Sequence, residues 1–145
     1  MDSVDIHHVG FWVTADGFEE MLTFLTEVLG LRLLSRQERG QAGIGQRAWV
    51  QIGDRLRFEV LTGPQTQPRP DVPVHPEGNV VGIPHICLTV HDLPSWEAKL
   101  RAAGYPATRR MPDDMSFMDY QGTRMRTLWF TGPAGIGFEM FDFGL

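Results

Sequence analysis

Only one cysteine, Cys87, occurs in the 145 residues. A lone thiol cannot close an internal disulfide, so the chain must hold itself together by packing and suits a reducing compartment. Long apolar runs are missing as well. None approaches the roughly 20 residues needed to span a bilayer, and the start "MDSVDIHHV" has neither the basic nor the apolar stretch of a secretory signal. A cytoplasmic location is the expectation. Positive charge is also scarce: 13 Lys and Arg against 18 Asp and Glu leave a formal net charge of −5, with no Lys/Arg run. Nucleic acid and anionic membrane surfaces are therefore not expected partners. What remains is 42% hydrophobic and 21% charged, the balance of a soluble globular domain. A chain of this length buries roughly 70% of its unfolded surface, which suits a single domain over residues 1–145.

The content of that domain is written twice. "IHHVGFWV" begins at Ile6 and "IPHICLTV" at Ile83, and each reads Ile, any residue, His, a β-branched residue, three more residues, then Val. Self-similarity over such a distance is the first thing to test in any sequence. After the first copy, Phe18, Met21, Leu22, Leu25, Val28 and Leu29 recur at helical spacing, with Thr14 or Asp16 as the cap and Gly30 as the stop. After the second, Asp92 caps, Pro94 occupies the first turn, Trp96 and Leu100 fall at i and i+4, and Gly104 ends the helix.

The module ends match too. "WVQIGDRLRFEVLTG" (49–63) turns at Gly53-Asp54, and "LWFTGPAGIGFEMFDF" (128–143) turns at Gly132-Pro133. Their second strands carry Phe58-Glu59-Val60 and Phe138-Glu139-Met140. Two modules are thus expected, at about 4–63 and 83–143. The stretch 64–82, rich in proline and glycine, is a strap between them, because a half of about 60 residues is marginal alone. The segment 108–127 reads as strand, mobile loop, strand, with turns at Asp113-Asp114 and Gln121-Gly122.

Strand parity assigns the ionisable residues to faces. Alternation groups His8 with Ile6, Gly10 and Trp12, and sets His7, Val9, Phe11 and Val13 on the helix-covered side. His85, Cys87 and Thr89 likewise oppose Ile86, Leu88 and Val90. Glu59 and Glu139 point away from their apolar neighbours. A charged side chain in an apolar strand is costly unless it is paired or bound to a metal. Two imidazoles and two carboxylates are a plausible ligand set for a divalent ion; His7 is the rival to His8. Arg55 and Arg57 are candidates to pair with Glu59. His75 and His91 read as surface residues and Cys87 as a small buried hydrophobe or cavity lining. Met111, Met115, Phe117, Met118, Met125 and Trp129 suit an adaptable apolar pocket or the core, and Arg110, Arg124 and Arg126 suit an anionic or carbonyl-rich substrate.

On these motifs the chain resembles the vicinal oxygen chelate superfamily of glyoxalase I, bleomycin-resistance proteins and extradiol dioxygenases, over residues 4–143. The resemblance implies an α+β fold: two tandem βαβββ modules forming an open eight-stranded sheet cup with helices on its outer face. It implies His8, Glu59, His85 and Glu139 as metal ligands, with Ni, Co, Mn, Fe or Zn as the ion and Glu139 or Glu59 as the catalytic base. The turn Gly132-Pro133-Ala134-Gly135 departs from the Asp-Pro-Asp-Gly usual before the last strand.

The activity so implied is that of a metal-dependent isomerase, epimerase or glyoxalase-type lyase acting on a small oxygen-rich carbonyl substrate through an enolate. One alternative is a non-haem Fe(II) dioxygenase using His8, His85 and Glu139. A second is a non-catalytic protein that sequesters its ligand. A homodimer is expected, because open sheet edges favour a partner.

Overall fold

The computed structural model describes residues 5–39, 44–68, 85–110, 117–118 and 121–144. The chain divides into two compact units, Met1–Arg69 and Pro70–Leu145. In the first, β1 (His8–Trp12) leads to helix α1 (Gly17–Thr23), then β2 (Arg32–Gln37), β3 (Arg47–Ile52) and β4 (Leu56–Leu61). In the second, β5 (His85–Val90) leads to α2 (Leu93–Ala102), then β6 (Ala107–Arg110), the short β7 (Phe117–Met118), β8 (Arg124–Thr131) and β9 (Gly137–Asp142).

The two sheets share one topology. Their orders are β1-β4-β3-β2 and β5-β9-β8-β6, with β7 also paired to β8. In each, the first and last strands run parallel and the hairpin strands antiparallel. These are the two tandem βαβββ modules of an α+β fold, with β7 added to the strand set expected for the second.

The topology matters for the site because it makes β4 and β9 central strands. Their inward apolar residues, Phe58, Val60, Phe138 and Met140, are completely buried. Removing such side chains from water is worth about 1.5–3 kcal/mol each, so the register of these strands is strongly held. A one-residue slip would turn Phe58 out and Glu59 in.

Each helix covers the apolar face of its sheet. Phe18, Met21 and Leu22 of α1 are buried, as are Leu93 and Leu100 of α2. The first helix departs from the regular spacing: it widens into a π-helical stretch over Phe24–Val28. There the Leu29 N–H donates to the Phe24 carbonyl at 2.9 Å. The wider turn keeps Phe24, Leu25 and Leu29 all buried. Gly30, at φ +71°, then breaks the helix. In α2, Asp92 caps by accepting from the Ser95 N–H at 3.4 Å.

Among the described residues, no helix is long and apolar enough to cross a membrane. The strap expected over 64–82 lies outside the described residues beyond Pro68, as do the turn at Asp113-Asp114 and the loop around it.

Candidate metal half-sites

In the first unit the parallel pairing of β1 with β4 sets Gly10 beside Glu59 and His8 beside Arg57. The absence of a side chain at Gly10 leaves room over the carboxylate: an added Cβ there would lie 3.9 Å from Glu59 Oε2. Across this space His8 Nε2 comes within 3.4 Å of Glu59 Oε2. The other oxygen is taken. Arg47 on β3 meets Glu59 Oε1 at 2.5 Å. Trp49, directly opposite Glu59 in the hairpin, stands beside both partners, with its ring 4.9 Å from the Arg47 guanidinium and 5.1 Å from the His8 ring. Glu59 is 8% exposed.

The second unit repeats the geometry with different companions. Pairing of β5 with β9 sets His85 beside Gly137 and Cys87 beside Glu139. His85 Nε2 lies 3.0 Å from Glu139 Oε2. The Thr127 hydroxyl donates to Glu139 Oε1 at 3.0 Å. Trp129 again stands opposite the glutamate, and Glu139 is 6% exposed. Burial, and then the neighbouring Glu139 carboxylate, push the Cys87 thiol up to about 12. It is therefore a neutral thiol beside Glu139, and Cys87 is exposed rather than the small buried hydrophobe expected from the sequence.

Each unit thus builds an imidazole–carboxylate pair with one carboxylate oxygen pinned and the other turned to the imidazole. Two ligands about 2.1 Å from one ion, at angles of about 90–110°, stand about 3.0–3.4 Å apart. The observed separations of 3.4 and 3.0 Å match that spacing. Groups that hold the outer oxygen orient a ligand in the way metal sites require. The donor set therefore fits a divalent ion of borderline softness. Among the described residues, no group of three or more His, Cys, Asp or Glu side chains forms a metal cluster; within a unit the unit of construction is the pair.

Several sequence expectations come out differently. The cation on Glu59 is Arg47, and neither Arg55 nor Arg57 is its partner; Arg57 donates instead to the Arg55 carbonyl. The hairpin register places Arg47 diagonally across from Glu59, within reach of a long side chain. Parity had put His7 on the helix side. The strand begins at His8, so alternation does not extend to His7, whose ring lies 5.3 Å from that of His8 and whose Nδ1 is 3.1 Å from His8 Nδ1.

Arg126 is engaged with Asp142 Oδ2 at 3.0 Å and the Gly144 carbonyl at 2.8 Å. It serves the protein rather than a substrate. Met125 and Trp129 are buried in the second unit, whereas Met111, Met115 and His75 lie outside the described residues. Arg47, Trp49 and Thr127 were missed as site residues. The offset of 80 that relates Glu59 to Glu139 also relates Trp49 to Trp129 and Arg47 to Thr127; extending the repeat back by one strand exposes all of them.

A family model described as Glyoxalase/Bleomycin resistance protein/Dioxygenase superfamily matches residues 5–140. No curated protein sequence gives a significant match. Among solved structures, a glyoxalase family protein from Enterococcus faecalis is 21% identical at a TM-score of 0.69, covering 94% of this chain and 96% of that one. TnmS3, an antibiotic binding protein from Streptomyces, is 16% identical at 0.65, covering 98% of both. A variant of the fosfomycin resistance protein FosX from Listeria monocytogenes, complexed with Mn(II) and a dihydroxypropylphosphonic acid, is 14% identical at 0.62, covering 97% and 90%. At these identities the likeness is one of fold.

Proposed function

Because the chain belongs to the Glyoxalase/Bleomycin resistance protein/Dioxygenase superfamily, we propose that it is a divalent-metal-dependent isomerase, epimerase or glyoxalase-type lyase. Its ligands are His8, Glu59, His85 and Glu139, one His–Glu pair from each unit, of one chain or of two. The observation that carries this reading is the pair built twice, at a ligand spacing, with the outer carboxylate oxygen pinned each time. A bound ion would act as a Lewis acid on two neighbouring substrate oxygens and make the adjacent carbon acidic.

The chain's own part is the proton. Glu139 is the proposed base: besides His85, its companions are Thr127 and Cys87, and neither of these is a basic side chain. Glu59 shares its charge with Arg47. Thr127 would hold Glu139 Oε1 while Oε2, leaving or loosening its place as a ligand, accepts the proton from carbon. Delivery of a proton to the opposite face of the same carbon, from a second acid such as the Glu59 carboxyl, gives epimerisation; returning the abstracted proton to the neighbouring carbon gives isomerisation. Glu139 itself has little contact with bulk water, at 6% exposure.

One observation favours a second reading. If the Arg47 charge keeps Glu59 off the ion, His8, His85 and Glu139 remain as the facial triad of a non-haem Fe(II) dioxygenase. Metal content by mass spectrometry, followed by hydrogen–deuterium exchange at carbon, separates the two. The panel is 2-oxo, 2-hydroxy and malonyl-type compounds. Metal-dependent exchange without oxygen uptake supports the isomerase or lyase. Oxygen uptake only with Fe(II) supports the dioxygenase, and neither metal nor turnover makes the chain a ligand-sequestering protein.

A further inference from the structure

Trp12 is 55% exposed, although its strand neighbours Phe11 and Val13 are packed to 6% and 1%. An open indole beside a cavity offers a face on which a flat group can stack. It lies on the same strand face as His8 and Gly10, four residues beyond His8, or about 13 Å along β1. The indole borders a cavity of about 600 Å³ whose other lining residues are Gly63, Pro64, Gln65, Thr66 and Gln67. That volume is within the range of small-molecule sites.

The rest of the lining is a turn closed by its own hydrogen bonds. It is the turn directly after β4, the strand that carries Glu59. The Gly63 N–H donates to the Thr66 hydroxyl at 3.1 Å, and the Thr66 N–H donates to the Gly63 carbonyl at 3.1 Å. The two walls are thus a residue of β1 and the turn that follows β4, next to the strands that build the His8–Glu59 pair. An aromatic face, a proline and two glutamine side chains suit a flat unsaturated group with polar edges.

We propose that Trp12 and the Gly63–Gln67 turn form a stacking subsite for the planar, unsaturated part of a ligand whose oxygen-bearing end is held at His8–Glu59. The placement of the oxygen end rests on the function proposed above; the stacking does not. The substrate class is thereby narrowed to molecules with an oxygen pair at one end and a flat body toward the other.

Calorimetric titration of the full, metal-loaded chain tests this with two probes that share an oxygen pair, 3-hydroxy-2-naphthoate and lactate. The naphthoate should bind at least about tenfold more tightly than lactate. Trp12→Ala should weaken naphthoate binding about tenfold, and Trp12→Phe should restore most of it. Lactate binding should be the same in all three. Naphthoate binding that is undetectable, or equal in Trp12→Ala and the parent, overturns the proposal. So does a fall from dimer to monomer in light scattering of Trp12→Ala, which would assign the indole to a contact between copies. Trp12-dependent naphthoate binding that ignores both chelator and Glu139→Gln keeps the subsite and removes the metal chemistry instead.

Discussion

The two units carry the same His–Glu pair and place their arginine on opposite faces of the same strand. In the first, residues 46–47 are Gln-Arg, and Arg47 turns to Glu59. In the second, the corresponding residues 126–127 are Arg-Thr. Thr127 takes the glutamate face, and Arg126 turns to Asp142. The counterpart of Asp142 in the first unit is Thr62, whose hydroxyl accepts from the Gln46 N–H at 2.8 Å. A one-residue difference in the position of the arginine thus sets its ion pair on the helix side of the second sheet and on the glutamate side of the first. The lesson concerns how a duplicated site becomes unequal: both glutamates are kept, and what changes is whether a cation or neutral donors hold each of them.

Breaking the glutamates one at a time should expose that inequality most strongly. Glu139→Gln should reduce substrate carbon–deuterium exchange about 10²- to 10⁴-fold, the size of a lost general base. Glu59→Gln should lose far less exchange and mainly loosen metal retention. Equal losses in the two variants would make the asymmetry irrelevant to catalysis.

Next in size is the ion pair of the second unit. Asp142 is 1% exposed and also accepts from the Leu93 N–H at 3.0 Å, at the start of α2. Burial raises its carboxyl, but the Leu93 and Gly144 N–H groups and Arg126 outweigh burial and hold it below the usual aspartate value. Asp142→Asn should cost about 2 kcal/mol at neutral pH. A folded-state value below the unfolded one, near about 3.9, means this contribution is complete above that pH and is lost as pH falls through the folded value. Urea melts of the two proteins should therefore converge in acid. A constant gap down to pH 2 would contradict the assignment.

A smaller effect should follow from making the units alike. Arg47→Thr copies the second unit into the first and frees Glu59 Oε1 from its cation. Metal affinity should rise about three- to tenfold by competitive chelator titration, the scale of one partly exposed ion pair. No change, or a loss, would mean that the orienting contact of Arg47 offsets or outweighs the repulsion between its charge and the ion. Smallest of all should be Gly10→Ala. Its new Cβ would meet Glu59 Oε2 at an ordinary contact distance, so metal affinity should stay within about twofold.

Most of the fold was readable because the repeat is written in residues whose burial enforces register. Phe58-Glu59-Val60 and Phe138-Glu139-Met140 fix their central strands by apolar parity alone, and Gly30 and Gly104 mark helix ends through their backbone freedom. The identity of the partner on Glu59 was not readable. It depends on a diagonal contact set by the Gly53–Arg55 turn, and sequence proximity pointed to Arg55 and Arg57 instead. The position of His7 failed for a related reason: alternation is a property of paired strand, and pairing starts one residue later. The π-helical stretch over Phe24–Val28 left no mark either, since its apolar spacing also fits an ordinary α-helix.

The central claim is that the two pairs serve one ion. Metal stoichiometry and chelator-sensitive melting temperature, measured for His8→Ala, His85→Ala and the double variant, test it most directly. The account predicts one ion per site in the parent, nearly complete loss of metal in either single variant, and little further loss in the double, because a broken site has little left to lose. Additive changes in stability, with metal content unchanged or exactly halved by each single substitution, would show two independent histidines and contradict it.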